Sequence, residues 1–600
     1  MTRSFPITID IDSDWGVTTG AGVVGGIDSV IERDSSGRPV LRGTVLAGIL
    51  RENAQVVALA LDEGDPDGPW SHLCTRIFGS SEAARLVTFT DALSADAVKT
   101  DDAVSVSIDP NTQTAKDDHL RFFERAGAAR LLAEVTCCSQ TTGGARVLWS
   151  DPQLDDVEAL LSLACGIVEA IGSDKGVGNG ACRMCLGTPH GGTARPRDWP
   201  WSALESISKT PTIPAIEKIS AAVVSVPSIV DAMDFFTVPL GIELLTPVVS
   251  YETPFSNEVH SLDFLRGTAL LAWAHAQMRA AHPDDELVRD AVVSGDLRIS
   301  DAVATLGDVR GLPVPLTLSR AKDSRASSRF STWNHLRGES GEEAQVPLRS
   351  GFLYEVNGSW GIASIPMVAR QSTALDPTKG TSASGQLYLV HALASGLHLR
   401  ADIVMSERLC DRLPDLERIL NAEALLGARR LSGTFGRARC SLGALSPLEV
   451  PPLSWDEDGT TTLWLVSDLM LRSSSLGPTT GLPNMLEALA SVGAEVEVFS
   501  ESGAQAAAVR YRRIDSRTSD GSLRSTRIAM QAGSALRVAP AEGSDPSAVM
   551  KALQRIARDG LGELRAQGYG RVLIGHPLLS LSSLTVSTFE REAFLNRKDS

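Results

Sequence analysis

Apolar and polar residues alternate along Phe5-Pro-Ile-Thr-Ile-Asp-Ile11, the period of a half-buried strand. After a glycine-rich turn, Pro39-Val-Leu-Arg-Gly-Thr-Val-Leu-Ala-Gly-Ile-Leu-Arg51 changes to a helical period, and a second helix is expected from about Leu154 to Ile171. Apolar strands near Leu86–Phe89 and Arg130–Val135 lie between them, separated by the polar stretch Asp109–Asp118. The resulting β-α-β-β-α-β order is that of a ferredoxin-like fold with insertions. The pattern then restarts: Thr237–Leu245 is a strand, and Leu262–Trp273 repeats the Arg-Gly-Thr helix start of Arg42–Thr44. A third copy runs from the strand Thr461–Val466 through a helix at Val549–Arg558 to the strand Arg571–Ile574.

A glycine-rich loop closes each copy: Gly172–Gly180, Gly427–Gly436 and Gly560–Gly570. Each follows a helix and opens a strand. Phosphate-cradling loops of nucleotide-binding folds have the opposite order, with the anion facing a helix N-terminus, so the order speaks against a nucleotide-binding enzyme. The reading is α+β, with three ferredoxin-like or RRM-like domains and long inserts. Its boundaries are a first domain at 1–187, a proline-rich linker at 188–232, a second domain at 233–450, a third at 451–590 and a tail at 591–600, the last 20 residues reading as loose. The polar insertions Ser319–Gly351 and Asn357–Gly385 read as long loops, either functional or disordered.

Composition is that of a globular chain, 43% hydrophobic and 22% charged. No apolar run approaches the ~18 residues of a membrane span, and no signal-peptide stretch opens the sequence, so a soluble cytoplasmic protein without a membrane partner is expected. The net charge of −17 argues against indiscriminate coating of nucleic acid. Arginines nonetheless cluster at 510–537 and 427–439, the second beside a glycine loop, where guanidinium groups and backbone N–H groups both suit phosphate. Eight cysteines without framework spacing fit a reducing compartment. Cys182 and Cys185 form a lone CxxC that Cys137 and Cys138 would complete as a zinc site only if the fold joined them; buried thiols are the favoured reading.

The three loops and the order of motifs resemble the RAMP superfamily of CRISPR effector subunits, built on modified RRM-like folds with a glycine-rich loop after the last helix. Residues 1–190 are similar to the type III backbone subunit that follows the guide RNA. The resemblance rests on Gly25-Gly-Ile-Asp-Ser-Val-Ile-Glu-Arg-Asp34, Gly37-Arg-Pro39, the helix start leading to Arg51, Arg76-Ile-Phe-Gly79 and Phe89-Thr-Asp-Ala92. Residues 235–590 resemble the large two-domain RAMP subunit of type III-D systems, through Ser372–Asp376, Gly385–Tyr388, the arginine-bearing loop at 427–439, Ala532–Ala535 and the last loop.

What the resemblance implies is a subunit that binds guide RNA (crRNA) and target RNA, assembles with other CRISPR effector subunits, and acts as a metal-dependent endoribonuclease. Asp28 falls where the family carries the aspartate needed for target cleavage, so it is the expected catalytic residue and ligand of a divalent metal, Mg2+ or Mn2+. It would hold the cation against a phosphate or position a ribose 2′-hydroxyl, whose attack would leave a cyclic phosphate. Asp28 as a plain turn cap is the competing reading, and Glu32 and Asp34 are neighbouring carboxylates. RNA contacts are expected from Arg42, Thr44, Arg51, Lys175, Gly176, Gly178, Arg266, Arg429, Arg430, Arg437, Arg565 and Tyr569. Where the family usually has lysine this chain has Ala47, and Arg42 stands as the substitute charge. Residues 108–125 fall on the family's thumb-like hairpin, with Phe122 and Phe123 either wedging between bases or, as favoured here, packing in the core. No carboxylate corresponding to Asp28 is expected in the second half, which reads as a binding element without its own chemistry, and His260 reads as an isolated histidine. A non-catalytic guide-binding scaffold is the alternative to the nuclease.

Overall fold

The computed structural model describes residues 3–18, 27–34, 37–80, 85–108, 114–139, 146–173, 175–187, 207–217, 234–253, 258–338, 344–375, 382–430, 434–472, 478–500, 504–514 and 526–595. The first unit begins with β1 (Ser4–Ile11), whose alternation buries Phe5, Ile7, Ile9 and Ile11. It continues with α1 (Gly43–Leu61), β2 (Val87–Phe89), a hairpin of β3 (Thr100–Ile108) and β4 (Ala115–Ala126), β5 (Ala129–Cys137), α2 (Asp151–Gly166) and β6 (Cys182–Leu186). In its sheet β6 lies beside β1, β1 beside β5 and β5 beside β2, all antiparallel. Leu46, Leu50 and Ala54 of α1 and Leu154, Val157 and Leu161 of α2 cover one face. By length and hydropathy α1 is the one membrane-crossing candidate among the described helices, yet this stripe packs it into the first core.

The second unit repeats the plan with β7 (Phe235–Leu244), β8 (Glu258–Ser261), α3 (Gly267–Ala281), β9 (Leu297–Ile299), a hairpin of β10 (Met367–Leu375) and β11 (Ser382–Leu393), β12 (His398–Ser406), α4 (Leu413–Leu420) and β13 (Arg437–Leu442). Its antiparallel order is β13, β7, β12, β9. The third has β14 (Thr461–Leu465), α5 (Leu482–Ser491), β15 (Val496–Val498), a hairpin of β16 (Tyr511–Ile514) and β17 (Arg527–Met530), β18 (Ala535–Pro540), α6 (Pro546–Asp559) and β19 (Val572–Ile574). Its order is β19, β14, β18, β15. In all three sheets the first strand is central, and a hairpin rises just before the strand that pairs with it, a feature the sequence indicated only for the first unit.

Three expectations change. The insertion Ser319–Gly351 holds the strands Leu318–Ala321, Arg329–Asn334 and Gln345–Pro347, joined in one sheet with Phe352–Val356 and Ser359–Ala363. Arg329-Phe-Ser-Thr-Trp-Asn334 buries Phe330, Thr332 and Asn334 in alternation, a two-residue period hidden by its polar composition. The chain end is no loose tail: β20 (Ser583–Thr588) is inserted between Arg329–Asn334 and Ser359–Ala363, and Phe594 is buried in the second core. Within the expected linker, Ala215–Glu217 pairs with Arg146–Leu148 of the first unit, and Asp156 Oδ1 accepts from Ser208 N–H at 3.0 Å. Residues 188–206 and 218–233 lie outside the described residues.

Candidate nucleic-acid interface

Each glycine loop is tied down by the same backbone bonds. Ile171, Leu426 and Leu561 donate N–H to the carbonyls of Gly180, Gly436 and Gly570 at 2.7–2.9 Å. The N–H groups of those three glycines reach Asp14, Pro247 and Asp468, just after each unit's first strand, and Ser173, Ala428 and Glu563 reach the carbonyls of Gly16, Val249 and Met470. Gly180 and Gly570 have φ of 69° and 72°, and a Cβ on either would sit 1.8 Å from a carbonyl oxygen, so a side chain would break the closure. This register makes Gly562, rather than Gly560, the counterpart of Gly172 and Gly427. The glycines therefore hold each loop against the strand that opens its unit.

Hairpin and loop meet in the first unit. Trp15 pairs with Ala126 at the hairpin root, and Arg125 Nη1 donates to Ser173 Oγ of the glycine loop at 2.7 Å. Asp28 lies against the hairpin: its N–H donates to Phe122 O at 2.9 Å, and its Oδ2 accepts from Phe122 N–H at 2.8 Å. The Asp28 side chain is exposed, whereas Glu32 is buried in an ion pair with Arg42 and Asp34 accepts from Arg38. Burial pushes the Glu32 carboxyl upward against the pull of Arg42. Among the described residues Asp28 belongs to no group of three or more potential metal ligands. An exposed carboxylate is a donor of the type Mg2+ takes alongside water and substrate phosphates.

Phe122 is not core. Register pairs Val104 with Phe122 and Val106 with Leu120, placing all four on one face of the hairpin, where each is exposed and Val104 and Leu120 reach 58% and 57%. Phe123, on the other face, lies 5.4 Å from the Arg125 guanidinium.

The second unit has a counterpart of Asp28 that the sequence reading denied. Trp15 pairs with Ala126 as Val248 pairs with Leu393, and Ser29 bridges Phe123 in parallel as Val259 pairs with Val390. That register sets Glu258 on the position of Asp28. Its neighbours are His260, two residues on, and His391, across the strand pair: Glu258 Oε1 lies 2.9 Å from His391 Nε2 and Oε2 3.8 Å from His260 Nε2. His260 is thus no isolated histidine, and its partner 131 residues away was beyond any local motif.

The expected RNA contacts divide sharply. Lys175, Gly176 and Gly178 are exposed on the first loop, with Val177 79% exposed between them, and Arg51 is exposed on α1. Arg429 is exposed, at 5.0 Å from the Tyr388 ring, and Arg430 donates to Gly427 O. Arg437 is paired with Glu423 at 2.8 Å. Arg42 cannot stand in for the lysine replaced by Ala47, because it is buried, paired with Glu32 and donating to Gln371 O at 3.0 Å. Arg266 is held by Asp468 at 3.2 Å and lies over the buried Tyr569 ring, so this pair faces inward too. Thr44 is exposed, though its N–H reaches Thr434 Oγ1 of the second unit at 3.2 Å.

The arginine run at 510–537 is divided, with Arg510 and Arg513 exposed and the other described arginines held by carboxylates. Arg512 pairs with Asp468, Arg527 with Glu563, and the buried Arg537 with Asp458, while Arg517 and Arg524 lie outside the described residues. Arg565 instead lines a cavity of about 540 Å³ between the second and third units, together with Arg298, Arg558 and Arg571. The cysteines do not form a zinc site. Cys137 sits near the start of β1 and Cys182 pairs with Ile11 at its end, while β6 turns Cys182 and Cys185 to opposite faces. Burial also pushes the Cys137 thiol up to about 12 and the Cys138 and Cys182 thiols up to about 11, against the thiolate a metal needs.

Curated proteins offer no match to this sequence. Among solved structures, a chain of the Type III-B Cmr-beta complex bound to cognate target RNA aligns over 50% of this chain and 86% of its own, at 9% identity and a TM-score of 0.29. A chain of that complex with target RNA and AMPPnP aligns over 58% of this chain and 99% of its own, at 11% identity and a TM-score of 0.32. Residues 8–183, the span of the first sheet with its hairpin and glycine loop, match the RAMP superfamily.

Proposed function

We propose that this chain is a fused subunit of a type III-like CRISPR effector, made of three ferredoxin-like RAMP units in a row, a backbone-type unit followed by a two-unit part like the large type III-D subunit. The observation that carries this reading is the threefold recurrence of sheet order, hairpin and glycine loop, whose first instance is the segment matching the superfamily. Guide RNA would run past the exposed first loop at Lys175–Gly178 and the outer face of α1 at Arg51, with phosphates meeting backbone N–H groups and cations. The apolar hairpin face of Val104, Val106, Leu120 and Phe122 would stack against splayed bases. Other effector subunits would be its protein partners in that complex.

Cleavage of paired target RNA is assigned to Asp28, with Mg2+ or Mn2+ supplying charge neutralisation at the scissile phosphate. The hydrogen bond from Phe122 N–H favours a second reading, in which Asp28 only fastens the hairpin of a non-catalytic scaffold. Asp28→Asn separates the two, because the amide oxygen still accepts that bond while the charge is gone. In single-turnover assays on guide-paired RNA, loss of at least ~100-fold in rate with unchanged RNA affinity is expected. Cleavage at the wild-type rate would overturn the catalytic assignment, and absence of cleavage by the wild type with either metal would leave the scaffold.

A further inference from the structure

The cluster at the base of the second hairpin has a geometry that surface ion pairing alone does not require. His260 on β8 and His391 on β11 sit side by side on parallel strands, on the face opposite the buried Val259 and Val390. Their rings are stacked, with centroids 5.3 Å apart and 5° between planes, and both turn Nε2 toward the Glu258 carboxylate. One ligand atom from each of the three residues falls within 4.8 Å of the other two. Ligands about 2.0–2.1 Å from a tetrahedral zinc ion are separated by roughly 3.3 Å, so the two rings, now parallel, would turn toward each other to bring both Nε2 atoms onto one ion. Two imidazoles and one carboxylate form a borderline N2O donor set that suits zinc better than Mg2+, which prefers oxygen alone. The strands fix both histidines, and two of the three residues come from a single i, i+2 pair, so little order is lost on binding.

We propose that Glu258, His260 and His391 form a site for one divalent transition metal, zinc-type in its ligands, with its fourth position open to solvent. It occupies the place in the second unit that Asp28 holds in the first, which gives that unit a metal position of its own. The site does not depend on whether Asp28 cleaves RNA, and its test reads metal rather than turnover. The full chain, stripped with chelator, is titrated with Zn2+ by calorimetry and loaded separately with Co2+ for visible spectroscopy. Expected are one zinc bound per chain, a Co2+ spectrum of four-coordinate N/O type, and affinity lowered by at least ~10-fold in both His260→Ala and His391→Ala. Because His260 is half exposed, His260→Ala should leave the melting curve in place, keeping the test readable if His391→Ala perturbs the sheet. No bound zinc, wild-type affinity in both histidine variants, or thiolate-to-Co2+ charge-transfer bands pointing to the cysteines would each overturn the proposal.

Discussion

The junction between the first and second units and that between the second and third use the same parts to different effect. In each, an Arg-Gly-Thr helix start is clamped by an aspartate of its own unit: Gly43 N–H donates to Asp91 Oδ1 at 2.7 Å and Gly267 N–H to Asp301 Oδ1 at 2.8 Å. In each, the glycine loop of the following unit comes up against that start, through Thr434 at the first junction and Gln567 at the second. At the second junction, however, the helix-start arginine crosses over. Arg266 ends on Asp468, which is fully buried, also receives Arg512, and belongs to the third unit. At the first junction Arg42 pairs with Glu32 of its own unit and crosses by a hydrogen bond to the Gln371 carbonyl, and the crossing ion pairs are Arg370–Asp91 at 3.2 Å and Arg437–Glu134 at 3.9 Å. The second junction thus buries its helix-start arginine on a carboxylate of the next unit, whereas at the first the arginine keeps its carboxylate at home and reaches across to a backbone carbonyl.

Asp468→Ala should be the most damaging single change at either junction. It strands the mostly buried Arg266 guanidinium and leaves Arg512 with Glu252 alone as its ion-pair partner among the described residues, at a cost of about 3–5 kcal/mol. Urea unfolding of the full chain would show it as early, shared loss of the second and third units. A cost equal to or below that of breaking the first junction would erase the distinction drawn here.

Arg370→Ala tests the weaker joint. Asp91 keeps the Gly43 N–H bond, so the loss should be smaller, about 1–3 kcal/mol, and confined to docking of the first unit. Small-angle scattering should then report a larger radius of gyration with the unfolding of the other two units unchanged. An unaltered scattering curve together with lowered stability of the whole chain would mean the first junction is as integral as the second.

The repeated order of elements was legible because each first strand and helix carries its period in sequence, and Arg-Gly-Thr at 42–44 and 266–268 marks the same turn twice. The clamp was legible as well, but only in retrospect: Phe89-Thr-Asp-Ala92 recurs as Ile299-Ser-Asp-Ala302, a weaker echo because one polar residue and the leading apolar one differ. Other features depend on distant partners. Whether an arginine faces RNA or an aspartate 202 residues away, as for Arg266, is decided by tertiary packing that no local window contains. The Glu258–His260–His391 cluster was hidden for the same reason, and Ser583–Thr588 because a strand completed by remote neighbours needs little hydrophobic pattern of its own.

The smallest effect concerns the two buried aspartates of the second junction and appears only against pH. Burial raises the Asp301 carboxyl to about 6, against the pull of Arg266 and the Gly267 N–H, whereas an unfolded aspartate titrates near the ordinary value of 3.8. Between these values the folded chain holds a proton that the unfolded chain has released. The contribution of Asp301 is therefore most favourable below about pH 4 and declines as pH rises through 6. Asp468 has the opposite sign. Burial alone would raise it, yet Arg512 and Arg266 hold it below the usual carboxylate range, so its contribution is present above pH 4 and lost on acidification. Asp301→Asn keeps an acceptor for Gly267 N–H and removes one of these two opposed slopes. The stability difference between variant and wild type, from urea unfolding at a series of pH values, should shift by about 1–3 kcal/mol in favour of the variant between pH 4 and 7. A difference that stays flat across that range would show that Asp301 is ionised throughout, and the second junction would then hold two buried carboxylates against its arginines rather than one.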